Sequence, residues 1–347
     1  MMRVGGKDLF DEIVGLILTH HQGIFDVYLG LTASGYDLGN PIRASKIREG
    51  IKAGKWGQQT LKYFDFARIN DGRINPYWPR ASILTSISLL VDQNPTKVTP
   101  KIVRAQLSTM KNIAPQDIDD HVIDWAAGLI EQAELLRGAH GYDGIWADYL
   151  QMVREEIFQN GNQYRTKILA AHNRLCDLLS VNIAPIQVAT ILNPLQADPL
   201  TDVVNIQNHS YVVTSHLRVD SYVHELLHLS LDSYLQVWEE RIFQSVNLLD
   251  LVYGHMNPLS YAWDHSPTSW YNVFSETLVR VLTVLISDAD PESQNFQIEG
   301  LVQQGFTYAR PIAEILASRE DVQPLTHEWL EVCLEACATL ANQAKQG

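Results

Sequence analysis

SYVHELLHLSL, residues 221–231, is the stretch that constrains this chain most strongly. It carries two histidines, His224 and His228, four residues apart among uncharged positions, and neither Pro nor Gly interrupts it. The pattern predicts a helix that begins near Asp220, and on a helix residues four apart project from one face, about 40° apart. One rigid helix can therefore present both imidazoles to a single metal ion, and tetrahedral zinc suits such ligands.

Glu225 follows the first histidine and lies about 100° around the predicted helix from it. A carboxylate at this position can reach a water molecule at an open coordination position of the metal and act as its general base. The alternative is a buried amphipathic helix whose histidines only satisfy hydrogen bonds. That alternative leaves two imidazoles and a carboxylate among leucines, which is costly for each group without a partner. The segment therefore predicts a metal site.

HELLH preceded by short strands resembles the zincin superfamily of metallopeptidases. The resemblance implies that the strand before the helix is a sheet edge that pairs with extended substrate, and YVVTSH, residues 211–216, takes that place here. Metzincins need Gly and a third His three and six residues after the second histidine, whereas this chain has Leu231 and Tyr234 there. The chain is therefore most similar to the gluzincin branch, whose third ligand is a Glu on a later helix.

The gluzincin resemblance implies Glu276 as the third metal ligand. This residue lies in the middle of residues 266–291, whose Ser-Pro-Thr start and apolar spacing predict a helix. A carboxylate inside so apolar a helix needs compensation, which a metal would supply. Gluzincins often have an Asp four residues after this Glu, but this chain has Arg280. Either the groups that orient the histidines differ, or the ligand is one of three alternatives: Glu239, Glu240 or Asp232.

Peptide hydrolysis also requires a hydrogen-bond donor for the oxyanion that forms when the carbonyl is attacked. Members of this branch commonly use a Tyr or His downstream of the third ligand. Residues 305–311, GFTYARP, offer Tyr308, and we predict it as the donor because a phenol donates without carrying a charge. The alternatives are Arg310, His255, Tyr261 and His265.

The rest of the chain predicts an α+β, mainly α protein of two domains. Residues 1–180 form the helical domain. Apolar positions recur at helical spacing in residues 8–21, 79–93, 101–110 and 119–136, and a long helix runs from about Trp146 to Leu179 and breaks near Asn160–Gly161. Residues 181–347 begin with short Val- and Ile-rich segments typical of strands and continue with the helix that carries the histidines. They form the predicted zincin-like catalytic domain, with a small sheet.

Composition limits the partners. The formal net charge of −14 disfavours nucleic acid and anionic lipid. Cys176, Cys333 and Cys337 are too few for a disulfide framework and are predicted to be core thiols. The N-terminal apolar stretch is interrupted by Asp11 and Glu12, unlike a signal peptide, and no stretch has the roughly 18 to 20 uncharged apolar residues that cross a bilayer. We expect a cytoplasmic protein.

Together these features predict a zinc-dependent metallohydrolase, a peptidase that acts on a peptide or protein substrate. In it, Glu225 assists the attack of a zinc-bound water. A metal-dependent amidase or esterase would use the same motif. A different class of protein, a non-catalytic binding or regulatory protein that retains a zincin scaffold, would be recognised by a fourth protein ligand that closes the site.

Overall fold

The computed structural model describes residues 16–36, 44–64, 81–91, 98–108, 120–179, 188–198, 201–206, 209–259, 261–286, 290–318 and 325–346. These residues form mainly helices with one small mixed sheet, which confirms the predicted α+β, mainly α class. No helix among them is both long enough and apolar enough to cross a membrane.

The chain divides into two compact units. Unit 1 comprises Met1–Arg165 and Gln187–Arg218, and unit 2 comprises Thr166–Ile186 and Val219–Gly347. This division differs from a single boundary near residue 180. The strands that follow residue 180 belong with the N-terminal helices, whereas the helix with the two histidines belongs with the C-terminal ones.

Unit 1 is built on three mutually packed helices. Its helices are α1 Gln22–Ala33, α2 Ser45–Ala53, α3 Gln58–Leu61 with a 3-10 turn Lys62–Phe64, α4 Ala81–Val91, α5 Pro100–Leu107, α6 Asp120–Arg137 and the first part of α7 Tyr142–Leu179. Helix α1 packs against α4 and α6, and these two also pack on each other. Burial of α1 from Gly23 to Thr32 explains the nearly continuous apolar character of its sequence. The helices predicted around α4, α5 and α6 are confirmed.

The sheet also belongs to unit 1. Its strands are β1 Leu16–Thr19, β2 Val188–Leu192, β3 Thr201–Ile206 and β4 His209–Thr214, in the order β1-β2-β4-β3. Strand β2 pairs in parallel with β1 and β4, while β3 pairs antiparallel with β4. The strand-like segments predicted after residue 180 are confirmed, as strands β2, β3 and β4. The predicted edge strand is wrong, because β4 pairs on both sides and its backbone is not free for a substrate.

Leu16–Thr19 was predicted as part of a helix over residues 8–21 and instead forms strand β1. Its backbone pairs with β2, and a short apolar run of this kind does not by itself distinguish a strand from a buried helix. Residues 8–15 of the predicted helix lie outside the described residues. A pairing partner distant in sequence therefore decides the local structure of these four residues.

Helix α7 runs through Asn160 and Gly161 without the predicted break. A glycine inside a helix costs about 1 kcal/mol relative to alanine, which is too little to end a long helix. A side chain at Gly161 would place its Cβ 3.3 Å from a methyl group of Leu18, so the glycine also leaves room for strand β1. The residue is therefore a packing position rather than a helix end.

Unit 2 is built around one buried helix. Its elements are the last part of α7, then α8 Val219–Val237, α9 Glu239–Phe243, a 3-10 helix Val246–Leu251, α10 Tyr253–Met256, α11 Pro267–Leu285, α12 Pro291–Gln303, α13 Ala309–Ser318 and α14 His327–Gln346. Helix α11 packs against α8, α9, α12 and α13. Its start is as predicted, because the Ser266 hydroxyl accepts a hydrogen bond from the Ser269 N–H and Pro267 occupies the first turn.

The cysteines are free thiols. Cys333 and Cys337 are fully buried on α14, as predicted, and burial raises the pKa of the Cys333 thiol well above its usual range. Cys176 is half-buried, with its sulfur 3.7 Å from Nε2 of His172.

Candidate metal centre

His224, His228 and Glu276 bring three possible metal-ligand atoms together in unit 2. The Nε2 atoms of the two histidines lie 3.3 Å apart. Oε2 of Glu276 lies 3.1 Å from Nε2 of His228, and Oε1 lies 3.6 Å from Nε2 of His224. Ligand atoms about 2.0–2.1 Å from a zinc ion at tetrahedral angles are separated by roughly 3.3 Å. The two imidazole nitrogens are therefore separated as two ligands of one tetrahedral cation would be, and the carboxylate lies close enough to offer a third ligand atom.

Two packed helices supply these groups. The histidines lie one turn apart on α8, with ring centroids 4.9 Å apart and ring planes at 77° to each other. Glu276 lies in the middle of α11, which packs against α8. The register between the two helices selects this carboxylate from among those of the later segments.

The site is largely buried but still reached by solvent. The exposed side-chain fractions are 19% for His224, 24% for His228 and 8% for Glu276. Burial lowers the pKa of His224 to about 3, against the opposing effect of the Glu276 charge. Burial alone would raise the pKa of Glu276, but His224, His228 and Arg280 together hold it well below its usual range. Near neutral pH, His224 is therefore neutral and Glu276 ionised, the states that bind a metal.

Arg280 and Tyr261 surround the carboxylate of Glu276. Nε of Arg280 donates to Oε1 of Glu276 at 2.7 Å, and its Nη2 donates to the Tyr261 hydroxyl at 2.9 Å. Tyr261 also hydrogen-bonds to Glu276, and burial raises its pKa to about 12, so it stays protonated near neutral pH. Arg280, at the position where gluzincins often have an Asp, therefore contacts Glu276, the carboxylate of the cluster.

Glu225 is half-buried on α8, one residue after His224. Helical geometry places it about 100° from His224 and about 60° from His228, beside the face that carries both imidazoles. Among the described residues, no fourth His, Cys, Asp or Glu joins the group of three. The arrangement therefore combines three possible ligands with a neighbouring carboxylate, the residue types that catalytic zinc sites use.

Tyr308 does not occupy the role predicted for it. Its side chain is 1% exposed in the core of unit 2, and its hydroxyl donates to the Leu248 carbonyl at 2.7 Å. Its ring packs edge-on against Trp270, with centroids 5.7 Å apart. A buried phenol with this partner cannot donate to a substrate, so the prediction is corrected. Of the tyrosines considered, it is Tyr261 that contacts the cluster.

The other candidates have different surroundings. Arg310 forms ion pairs with Glu299 and Glu314, and His265 pairs with Asp250 at 3.2 Å. His255 is exposed on α10. Of the alternative third ligands, Glu239 and Glu240 lie on α9 outside the group, and the side chain of Asp232 is not among those described.

In the sequence, Arg280 stands out only as a departure from a family pattern. The contact between Arg280 and Glu276 could have been predicted, because the two residues are four apart and residues at this spacing are neighbours on a helix. Tyr261 had no such signal, because it reaches the cluster from the loop before α11.

Comparison with known proteins identifies no relative. The chain matches no protein-family model, no curated protein and no solved structure.

Proposed function

We propose that this protein is a zinc-dependent metallohydrolase, and specifically a peptidase. His224, His228 and Glu276 would hold the metal, and Glu225 would be the general base. The observation that carries the proposal is that two imidazole nitrogens lie 3.3 Å apart and a carboxylate from a second, packed helix lies beside both of them. Two imidazoles and one carboxylate are a ligand set that catalytic zinc sites use.

A set of three rather than four protein ligands would favour a catalytic over a structural role for the metal. Structural zinc sites are closed by four protein ligands, whereas catalytic sites keep one position for water. The group has three members within the described residues, and both histidines keep part of their surface exposed to solvent. Glu225 is moreover the acidic residue that water activation needs, and a binding protein would not require it.

Different residues of the chain would have different roles in the reaction. A bound zinc ion supplies Lewis acidity, lowering the pKa of water to about 7 and polarising the carbonyl. Glu225 accepts the proton of the attacking water and later transfers it to the leaving nitrogen. Arg280 and Tyr261 hold the carboxylate of Glu276 by hydrogen bonds, which keeps this ligand ionised and oriented.

Metal content tests the ligand set. Elemental analysis of the purified wild-type protein should find one zinc ion per chain, and His224→Ala and Glu276→Ala should abolish stoichiometric zinc. The control is His140→Ala, an exposed histidine in the turn between α6 and α7, which should leave zinc content unchanged. A Glu276→Ala protein with a full complement of zinc would remove Glu276 from the ligand set.

Cleavage of a mixed peptide library tests the reaction. We expect Glu225→Gln to keep its zinc and to lose roughly 10²- to 10⁴-fold in turnover, because proton transfer is lost. Zinc binding without any Glu225-dependent cleavage would instead support a binding or regulatory protein. Turnover of model esters or simple amides but not peptides would support the amidase or esterase alternative.

A further inference from the structure

Arg280 has more hydrogen-bond donors than its partners use. A guanidinium carries five N–H groups, and those of Arg280 donate once to Glu276 and once to Tyr261. No other acceptor for them is found among the described residues. The side chain is 27% exposed, so part of it is open to solvent or to a ligand.

The guanidinium also lies against two aromatic rings. Its central carbon lies 4.6 Å from the ring centroid of Phe306 and 5.7 Å from that of Tyr261. With two hydrogen bonds in addition, little side-chain freedom remains to be lost when a ligand binds. A fixed fork of N–H donors matches the two oxygens of a carboxylate.

The charges of the site favour an anionic ligand. Glu276 and Glu225 together would offset the charge of a divalent cation, so Arg280 leaves the metal-bound site with net positive charge. The groups that act on Glu276 are His224, His228 and Arg280, and the last is the permanent cation among them. Without the metal, the two carboxylates outnumber Arg280 and the same site is net negative.

We propose, resting on the peptidase function above, that Arg280 is a specificity-determining residue that binds a carboxylate of the substrate close to the cleaved bond. The preferred substrates are then peptides whose C-terminal carboxylate, or an acidic side chain, lies beside the scissile amide. Both sources present the same planar, doubly accepting anion to the guanidinium.

Peptide binding to zinc-loaded Glu225→Gln protein tests this by calorimetry, because this variant should bind without cleaving. Three N-acetylated peptides share one neutral sequence: one has a free C-terminal carboxylate, one a C-terminal amide, and one an amide with a single internal Glu. Binding of the first or third should be roughly tenfold or more tighter than binding of the amide, as expected for a charge-assisted hydrogen bond. The tighter of the two identifies the source of the carboxylate.

Substitution of Arg280 in the Glu225→Gln protein tests whether the preference for a carboxylate depends on this residue. Arg280→Met should remove the preference for the acidic peptides, and Arg280→Lys should keep part of it, because charge remains but the fork is lost. Arg310→Met is the matched control, since Arg310 is a half-exposed, ion-paired arginine of unit 2, and it should keep the full preference. Zinc content is measured for every variant, so that loss of metal is not mistaken for loss of carboxylate binding.

Two results would overturn the inference. One is equal affinity of the zinc-loaded protein for all three peptides, which requires no Arg280 variant to interpret. The other is a zinc-loaded Arg280→Met protein that keeps the whole preference. A failure of the peptidase proposal would give a different result: the wild-type protein would hold no zinc or would cleave no peptide.

Discussion

Asp26 in unit 1 and Glu276 in unit 2 are both buried carboxylates on packed helices, but their partners differ. Asp26 is fully buried, and its two oxygens accept hydrogen bonds from Nε of Arg137 at 2.6 Å and from the Tyr142 hydroxyl. Glu276 accepts from Arg280 on one oxygen and faces the Nε2 atom of His228 with the other. Burial of a carboxylate therefore does not by itself indicate a functional site.

The difference lies in what surrounds each charge. Arg137 and Tyr142 are hydrogen-bond donors, so the interactions of Asp26 are complete within the protein. Beside Glu276 stand two imidazoles whose Nε2 atoms are electron-pair donors in one neutral tautomer, and in that tautomer a cation between the three groups would satisfy them. Asp26 is thus expected to support stability, and Glu276 to support metal binding. Four measurements can test this contrast.

The largest expected effect is on the stability of unit 1. Asp26→Ala leaves Arg137 and the Tyr142 hydroxyl without their partner, and should lower the free energy of unfolding by about 3 kcal/mol, the lower end of the range for a broken buried pair. Denaturant unfolding measures this. Arg104→Met, which breaks the exposed pair with Asp120, should cost less than about 1 kcal/mol. Equal losses in both variants would contradict the assignment.

Zinc should stabilise the protein through Glu276. At a free zinc concentration 100 times the dissociation constant, the free energy of unfolding should rise by about 2.7 kcal/mol, because only the folded chain offers the assembled site. Thermal or denaturant unfolding with and without a chelator measures the gain. Glu276→Ala should show no gain, whereas Asp26→Ala, though destabilised, should show the full gain. A zinc response that survives Glu276→Ala would place the metal elsewhere.

Acid should destabilise the zinc-free protein through His224. The pKa of this residue is lowered from its ordinary value near 6.5 to about 3, so over this range the unfolded chain binds a proton that the folded protein does not. Stability therefore falls as the pH falls from 6.5 towards 5, by at most about 1.4 kcal/mol per pH unit from this residue. Unfolding at several pH values should show a shallower slope for His224→Ala than for the wild-type protein.

The smallest expected effect is the loss of stability on substitution of Tyr308, a residue that we expect to take no part in the reaction. Tyr308→Phe removes the hydrogen bond to the Leu248 carbonyl and should lower stability by about 1 kcal/mol. Zinc affinity and peptide cleavage should stay at wild-type values, because this hydroxyl faces the core. A loss of turnover much larger than the loss of folded protein would restore Tyr308 as a candidate donor.

The helices and most strands were predictable because their signals are local. Apolar spacing and turn residues predicted α4, α6, α8 and α11, and Val- and Ile-rich runs predicted β2, β3 and β4. Strand β1 was missed because its four residues acquire their structure from pairing with β2, which lies about 170 residues away in the sequence. The central place of β4 in the sheet was missed for the same reason.

The sequence alone determines that two imidazoles lie on one helical face with Glu225 beside them, because residues four apart on a helix must project together. Tertiary packing decided the rest. Only the register of α11 against α8 places Glu276 beside those imidazoles, and only the fold turns Tyr308 towards the core and Tyr261 towards the cluster. Helical periodicity is a property of the local backbone, whereas the meeting of two helices depends on side chains far apart in the chain.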